Sequence, residues 1–88
     1  NIAYDYDVGE IKINHYDLYR IKNYNDILEL GMFETNVNHI KIIEWPELIK
    51  FKPKNRIDIF FSYSKLNNYR DVKIEGFGKW KDYKFDEI

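Results

Sequence analysis

The segment Ile40–Pro46, IKIIEWP, places a glutamate and a tryptophan directly after an apolar, β-branched run. Such a run is typical of a buried strand, and Pro46 ends it because proline has no amide hydrogen, so Glu44 and Trp45 follow at its carboxyl end. Ligands of open α/β sheets bind at that end. A carboxylate is costly to desolvate there unless it holds a cation, a donor or a proton, which makes Glu44 the first candidate for a functional residue. The alternative interpretation is a solvated turn glutamate followed by a core tryptophan.

A second acidic residue, Asp17, ends another predicted strand within HYDLYR, residues 15–20. A short helix is predicted over Asp26–Leu30, between the strands of Asp17 and Glu44. A helix that connects two strands of one sheet forms a crossover, and crossovers join parallel strands. We therefore expect both carboxylates to lie at the same edge of the sheet. The alternative for Asp17 is a local role, in which it only caps the turn before Tyr19.

Period-2 alternation predicts two hairpins on either side of this crossover. The first is expected from strands over residues 2–8 and 11–17, and the second from a strand over residues 56–64 with a partner that ends at Gly76. Asn23 or Asn25 is expected to cap the helix, and Gly31 to follow it with a positive φ. The side chains expected to pack inward are Ile27, Leu28, Leu30, Phe33, Ile40, Ile42 and Ile43.

Composition favours a folded domain without a targeting signal. The 88 residues are 44% hydrophobic and 18% aromatic, which is enough for a core and argues against disorder. The formal charge of −1 gives no field to attract nucleic acid or an anionic membrane. The absence of cysteine fits a reducing cytoplasm, and no apolar segment approaches the ~20 residues of a membrane span. We expect a soluble, cytoplasmic protein, and the first residue, Asn rather than Met, leaves open that the chain begins within a longer one.

Several kinds of chemistry have no support in the sequence. No phosphate-binding run of the GxxxxGKS or GxxxxGKT type occurs. The segment GFGK, residues 76–79, follows a predicted hairpin and lacks the hydroxyl after the lysine, so we interpret it as a strand end. His15 and His39 are too far apart to indicate a zinc site, and we interpret them as a polar strand residue and a loop residue, respectively. No Ser, Thr or Cys has the neighbouring base and acid that nucleophilic catalysis needs.

In this order, the segments resemble the C-terminal half of the TsaE family, also called YjeE. The resemblance rests on HYDLYR, a short helix ending LELG, then IIEWPELI, then RIDIFFSY and its partner VKIEG, from about Tyr4 to Gly76. TsaE is the bacterial ATPase subunit needed for threonylcarbamoyl modification of adenosine 37 in tRNA. The resemblance implies a P-loop-NTPase-like α/β fold, with a mostly parallel sheet flanked by antiparallel hairpins. Residues 1–78 are then the C-terminal half of the ATPase domain without its P-loop, and residues 79–88 are a charged tail.

The resemblance also implies a site for ATP and Mg²⁺. Glu44 takes the position of the family's magnesium-binding and catalytic glutamate, and Asp17 that of the HxD aspartate beside it, so both are expected to be catalytic and metal-binding. Trp45, which follows the glutamate, and Arg70, in the final hairpin, are expected to contact the nucleotide, Arg70 by a weaker correspondence. The implied partners are TsaB- and TsaD-type subunits of the tRNA-modifying complex and the missing N-terminal half, with no direct contact to nucleic acid or membrane.

The N-terminal half of the family, with its phosphate-binding loop, has no counterpart in these 88 residues. Because phosphoryl transfer depends almost entirely on positioning and electrostatic stabilisation, we expect that this chain alone does not hydrolyse ATP. Three interpretations stay open: a fragment of an ordinary TsaE, the product of a split or decaying gene, and a non-catalytic module that only docks to partner subunits. We also expect an uncovered apolar face around Ile40, Ile42 and Ile43, a partly exposed Trp45 and a tendency to aggregate.

Overall fold

The computed structural model describes residues 2–34 and 38–85, so parts of the predicted connection over residues 32–38 and of the charged tail lie outside the described residues. The chain divides into two compact units, Asn1–Lys52 and Pro53–Ile88. The described residues form five strands and one α-helix, which confirms the predicted α/β class. No helix in these two ranges has the length and apolar character needed to cross a membrane. The division of the chain into residues 1–78 and 79–88 stays a prediction.

Three strands of the first unit form one sheet in the order β1 (Ala3–Val8), β2 (Ile11–Asp17) and β3 (His39–Glu44). Strands β1 and β2 are antiparallel, and Gly9 turns between them with a φ of 62°, a conformation that glycine adopts without steric cost. Strands β2 and β3 are parallel, which confirms the predicted crossover. One of the two pairings in this sheet is thus antiparallel, so the described residues do not form the mostly parallel sheet that we expected.

Helix α1 (Tyr24–Glu29) lies in the connection between β2 and β3. It begins at Tyr24 rather than at the predicted Asp26 because Asn23 is the N-cap, and the Asn25 amide donates to the Asn23 side-chain oxygen at 2.9 Å. This bond satisfies one of the amides that a helix leaves without an internal partner at its start. Gly31 follows the helix with a φ of 60°, as predicted.

The core of the first unit lies between α1 and one face of the sheet. The buried side chains are Tyr16, Leu18, Ile21, Ile27, Met32 and Ile49, and Ile43 is among the half-buried side chains packed against them. Tyr16 and Ile43 lie opposite each other on β2 and β3, so they define the face of the sheet that contacts the core.

Four side chains that were predicted to pack inward are exposed instead: Leu28, Phe33, Ile40 and Ile42. Leu28 adjoins the buried Ile27 on the helix and therefore points away from the core, whereas Met32 fills the inward position that we assigned to Phe33. Ile40 and Ile42 alternate with Ile43 along β3, so they lie on the opposite face of the sheet.

This opposite face is apolar over most of its area, and we call it the open apolar face. Its exposed side chains are Tyr4, Tyr6, Val8, Ile11, Ile40 and Ile42, each between 40% and 58% exposed. The register places the rings and isoleucines of three strands in rows, with Tyr6 opposite Ile13 and Ile13 opposite Ile40. Of the two expectations for Ile40 and Ile42, inward packing is therefore wrong and the uncovered face is confirmed, while Ile43 belongs to the core side.

The second unit is the predicted hairpin, in which β4 (Arg56–Tyr63) pairs antiparallel with β5 (Arg70–Phe77). A short 3-10 turn, Gly78–Trp80, follows β5 directly. The Lys79 amide donates to the Asn55 side-chain oxygen at 2.9 Å, which fixes the start of this turn. Gly76 and Phe77 of the GFGK segment thus end β5, which confirms the predicted strand end, whereas Gly78 and Lys79 begin a turn that was not predicted.

Candidate functional site

The candidate site lies where β2 and β3 end. Asp17 and Glu44 are the last residues of these strands, and the register pairs them directly with each other. Because the strands are parallel, both residues lie at the carboxyl-terminal edge of the sheet, where ligands of α/β sheets bind. Directly opposite residues also project from the same face. The prediction that the two carboxylates share one edge is confirmed.

Glu44 contacts a histidine that sequence reasoning did not connect with it. Its Oε1 lies 2.5 Å from Nε2 of His15, and the two side chains are 49% and 26% exposed, respectively. A carboxylate only accepts hydrogen bonds, so the imidazole N–H donates in this pair. A signal was present in the sequence, because His15 and Asp17 are two residues apart on a strand and therefore share the face on which Glu44 lies.

Asp17 takes part in a local hydrogen bond as well. Its Oδ1 accepts from the Tyr19 amide at 3.2 Å, so Asp17 does cap the turn that follows β2, as the alternative interpretation required. An ionised carboxylate offers two oxygens and about four lone-pair positions, so this bond leaves capacity for a second partner. The position beside Glu44 is confirmed, but among the described residues the hydrogen-bond partner of the Asp17 side chain is the local Tyr19 amide, which favours the alternative interpretation. The metal-binding role stays a prediction.

Trp45 follows Glu44 with a left-handed backbone conformation, at φ 59° and ψ 59°. Its side chain is 53% exposed, and its ring centroid lies 5.0 Å from that of Tyr19. The predicted partial exposure is confirmed, and the alternative of a core tryptophan is wrong. Pro46 opens the 3-10 turn Pro46–Leu48 immediately afterwards, which agrees with the predicted end of the strand.

Arg70 belongs to the second unit, where it is the first residue of β5. Its guanidinium lies over the Tyr63 ring, 4.4 Å from the centroid, and donates to the Tyr69 carbonyl at 3.1 Å. Both contacts are within the hairpin. The expected contact of Arg70 with a nucleotide stays a prediction.

His39 is the first residue of β3, so its assignment to a loop was wrong. Its Nδ1 lies 2.8 Å from Oδ1 of the buried Asn14, which also accepts from Lys41 at 3.2 Å, while the Asn14 amide donates to Asp5 at 2.8 Å. These residues lie on the core-facing side of the sheet, because Asn14 alternates with His15. Asn14 therefore joins the three strands through a polar network that includes His39, and this network lies on the face of the sheet opposite to Glu44.

The donor set of the site suits a hard divalent cation that brings other ligands with it. Carboxylate oxygens are the ligands that Mg²⁺ prefers, and proteins usually hold it through one or two carboxylates together with waters and substrate phosphates. Among residues 2–34 and 38–85, no group of three or more His, Cys, Asp or Glu side chains could hold a metal ion. Asp17 and Glu44 have the oxygen donors that Mg²⁺ prefers, and a magnesium site at this pair stays a prediction.

Sequence comparison connects this geometry with a family of known function. Residues 1–72 match the family described as "Threonylcarbamoyl adenosine biosynthesis protein TsaE". The matched range includes both HYDLYR and EWPE and most of the chain, so the chain belongs to the TsaE family. The resemblance inferred from these motifs is confirmed.

Individual relatives agree with the family match. The chain is 42% identical over 50 residues to the tRNA threonylcarbamoyladenosine biosynthesis protein TsaE of Rickettsia felis, a match that covers 57% of this chain and 29% of that protein. The proteins of the same name from Rickettsia prowazekii and Rickettsia bellii are 42% and 40% identical over 50 residues, and the match covers 35% of each. The chain therefore spans about a third of the length of these relatives.

Proposed function

We propose that this chain provides the carboxylate-bearing strand ends of an ATPase subunit that supports threonylcarbamoyl modification of adenosine 37 in tRNA. The observation that carries the proposal is the direct pairing of Asp17 with Glu44 at the ends of two parallel strands. Membership of the TsaE family and the names of the Rickettsia relatives support it further. The complete site is P-loop-NTPase-like in this proposal, and the phosphate-binding loop comes from a part of the family that these 88 residues do not include.

In the proposed site, Glu44 and Asp17 would hold Mg²⁺ through their ionised carboxylate oxygens and would be the catalytic, metal-binding residues of the subunit. Magnesium-bound ATP supplies the γ-phosphoryl group and a divalent charge that offsets the phosphate charges. The exposed Trp45 ring offers an apolar surface next to Glu44 in the sequence. Arg70 is assigned to the nucleotide by the family resemblance alone. Both side chains are nucleotide-binding residues in this proposal.

The test compares nucleotide binding with and without a phosphate-binding loop. We expect the isolated chain to bind ATP weakly or not at all, because the backbone amides and the lysine of that loop are absent from its sequence. Supplying the N-terminal half of a family member, in trans or by fusion, is expected to restore magnesium-dependent binding in calorimetry. Tight ATP binding by the isolated chain would overturn this account.

Substitutions then assign the binding to the proposed carboxylates. In the completed protein, Glu44→Gln and Asp17→Asn are each expected to weaken magnesium-dependent ATP binding by at least about 10-fold, since changes around metal ligands typically cost 10- to 100-fold. Asp7→Asn is the matched control, because Asp7 is an exposed acid near the other end of the same sheet. Equal affinity of all three variants and the parent would contradict the proposed site.

The open apolar face favours a second candidate function, that of a docking module. Contiguous exposed apolar surface on a soluble domain marks an interaction site, and this face ends at the candidate carboxylates. In this alternative, the chain binds TsaB- or TsaD-type subunits without hydrolysing ATP. Pull-downs of purified subunits separate the two candidates, because capture that does not depend on ATP supports docking, whereas capture that requires magnesium and ATP supports the ATPase subunit.

A further inference from the structure

The imidazole of His15 is held between two side chains of neighbouring strands. On one side, its Nε2 lies 2.5 Å from Oε1 of Glu44 on β3. On the other, the ring of Tyr4, directly opposite on β1, lies 5.8 Å from the imidazole centroid at an interplanar angle of 35°. His15 is therefore oriented by β1 at the point where it contacts the candidate acid.

The contact follows from the register of the sheet. His15 lies opposite Ile42, so Glu44 is the diagonal neighbour of His15 on the same face. A glutamate side chain that is about half exposed samples many rotamers, and ordering it costs conformational free energy. A bond from a half-buried imidazole restricts those rotamers without occupying both carboxylate oxygens, because only Oε1 takes part.

We propose that His15 is a positioning residue for Glu44. The Nε2–H of His15 donates a hydrogen bond to Oε1 of Glu44, which leaves Oε2 of Glu44 free to bind a cation at the strand ends. This role rests on the proposed function only in its last step, since the orientation of Glu44 is a property of the chain without nucleotide. It also gives the histidine of HYDLYR a task distinct from that of Asp17, which lies two residues further along β2.

The first experiment measures the contact in the absence of nucleotide. In the ¹⁵N-labelled chain, we expect Glu44→Gln to shift the ring-nitrogen resonances of His15 and to leave those of His39 unchanged. His39 is the internal control, because its ring contacts Asn14 on the other face of the sheet. If the ring-nitrogen resonances of His15 do not shift in the Glu44→Gln variant, the positioning role is wrong. This result would hold whether or not the completed protein binds magnesium and ATP.

The second experiment tests what the orientation does, with two variants of His15 in the protein completed by a phosphate-binding half. His15→Phe keeps a ring against Tyr4 but removes the donor, whereas His15→Gln keeps an N–H at a similar distance from the backbone. We expect His15→Phe to weaken magnesium-dependent ATP binding by about 10-fold or more and His15→Gln to retain most of the affinity of the parent.

The outcomes of the two experiments are distinguishable. If the completed parent protein does not bind magnesium and ATP, the proposed function is wrong, and the ring-nitrogen measurement alone decides whether His15 positions Glu44. If the parent binds magnesium and ATP, and both the Phe and the Gln variant bind as tightly as the parent, His15 has no positioning role and the proposed function stands. Loss of affinity in the Phe variant, together with rescue by Gln, supports both.

Discussion

At the scale of single residues, the two candidate carboxylates are held in different ways. Asp17 is tied to its own strand end through the Tyr19 amide, whereas Glu44 is tied to a neighbouring strand through His15. The bond between Asp17 and Tyr19 joins residues two positions apart, so it depends only on the local backbone conformation. The bond between His15 and Glu44 joins two strands, so it also depends on the register of the sheet. The orientation of Glu44 is therefore more sensitive to substitutions elsewhere in β1 and β2 than that of Asp17.

The backbone of Trp45 adds strain at the same place. A left-handed conformation costs an L-residue roughly 1–2 kcal/mol, and it is rare for a side chain as large as tryptophan. Residues in such conformations are concentrated at functional sites, where the surrounding structure holds them in place. The strained position lies directly between Glu44 and Pro46, which agrees with a site at the end of β3.

The buried phenol of Tyr16 gives the first unit a predictable response to alkaline pH. Burial, followed by the negative charges of Asp5 and Glu34, raises the pKa of Tyr16 above its ordinary value of 10.0. The folded chain then keeps a proton that the unfolded chain has lost. The stability contribution is fully present below about pH 10 and is lost as the pH rises through the pKa of the folded state.

We therefore expect Tyr16→Phe to remove part of the alkaline destabilisation. Urea unfolding of the parent and of the variant at about pH 8 and about pH 11 measures the change, because phenylalanine has no proton to lose. Tyr6→Phe, which removes an exposed phenol of β1, is the control for the loss of a tyrosine hydroxyl as such. A parent and a Tyr16→Phe variant that lose equal stability between the two pH values would contradict this prediction.

At the scale of elements, helix α1 depends on packing. It has six residues, and isolated helices shorter than about 12 residues are marginal in water. The Asn23 cap compensates only one free amide at its start. Ile27 is the buried side chain of α1, and it packs in one core with Leu18, Ile21 and Met32 of the same connection, so the stability of the helix depends on tertiary contacts.

Adjacent helix residues provide a matched test of that dependence. Ile27 is 4% exposed and Leu28 is 58% exposed. In the chain completed by the N-terminal half of a family member, where a cooperative transition is expected, Ile27→Ala is expected to lower the free energy of unfolding by about 2–5 kcal/mol, because it leaves a cavity in the core. Leu28→Ala is expected to change it by about 0.5 kcal/mol or less, as is usual at a surface position. Urea unfolding followed by circular dichroism compares them, and equal losses would show that α1 does not pack as described.

Much of this arrangement follows from the sequence because it depends on local patterns. Alternation and turn residues predict the hairpins, and a helix between strands predicts the parallel pairing that brings Asp17 and Glu44 together. Alternation does not reveal which face of a strand contacts the core, so the sequence did not separate the exposed Ile40 and Ile42 from Ile43, which packs against the core. The contact between His15 and Glu44 required the register, which a one-residue shift would have changed.

At the scale of the whole molecule, each compact unit exposes apolar strand surface. In the first unit this is the open apolar face, and in the hairpin Ile59, Phe61 and Val72 are each more than half exposed. Surfaces of this kind associate with other chains. The matched region covers only 29 to 35% of the length of the Rickettsia relatives, so most of each relative lies outside the matched region.

We expect the purified 88-residue chain to self-associate through the open apolar face and to unfold with low cooperativity. Ile40 is half exposed on β3, which lies at the edge of the three-stranded sheet. Charged side chains, especially lysine, on an edge strand oppose pairing with other chains. Ile40→Lys is therefore expected to lower the mean mass of the chain in sedimentation velocity across a concentration series. Separately, adding the N-terminal half of a family member is expected to make the thermal unfolding transition sharper.

Leu28→Lys is the control for this prediction, because it makes the same change of charge at an exposed apolar residue that does not belong to the open apolar face. The Leu28→Lys variant is expected to associate as strongly as the parent, because Leu28 lies on the helix and not on the open apolar face. If both lysine variants dissociate equally, net charge rather than the open apolar face controls association. A parent chain that is monomeric at every concentration and unfolds in one sharp transition would instead identify a self-sufficient domain and favour the docking module over the fragment interpretation.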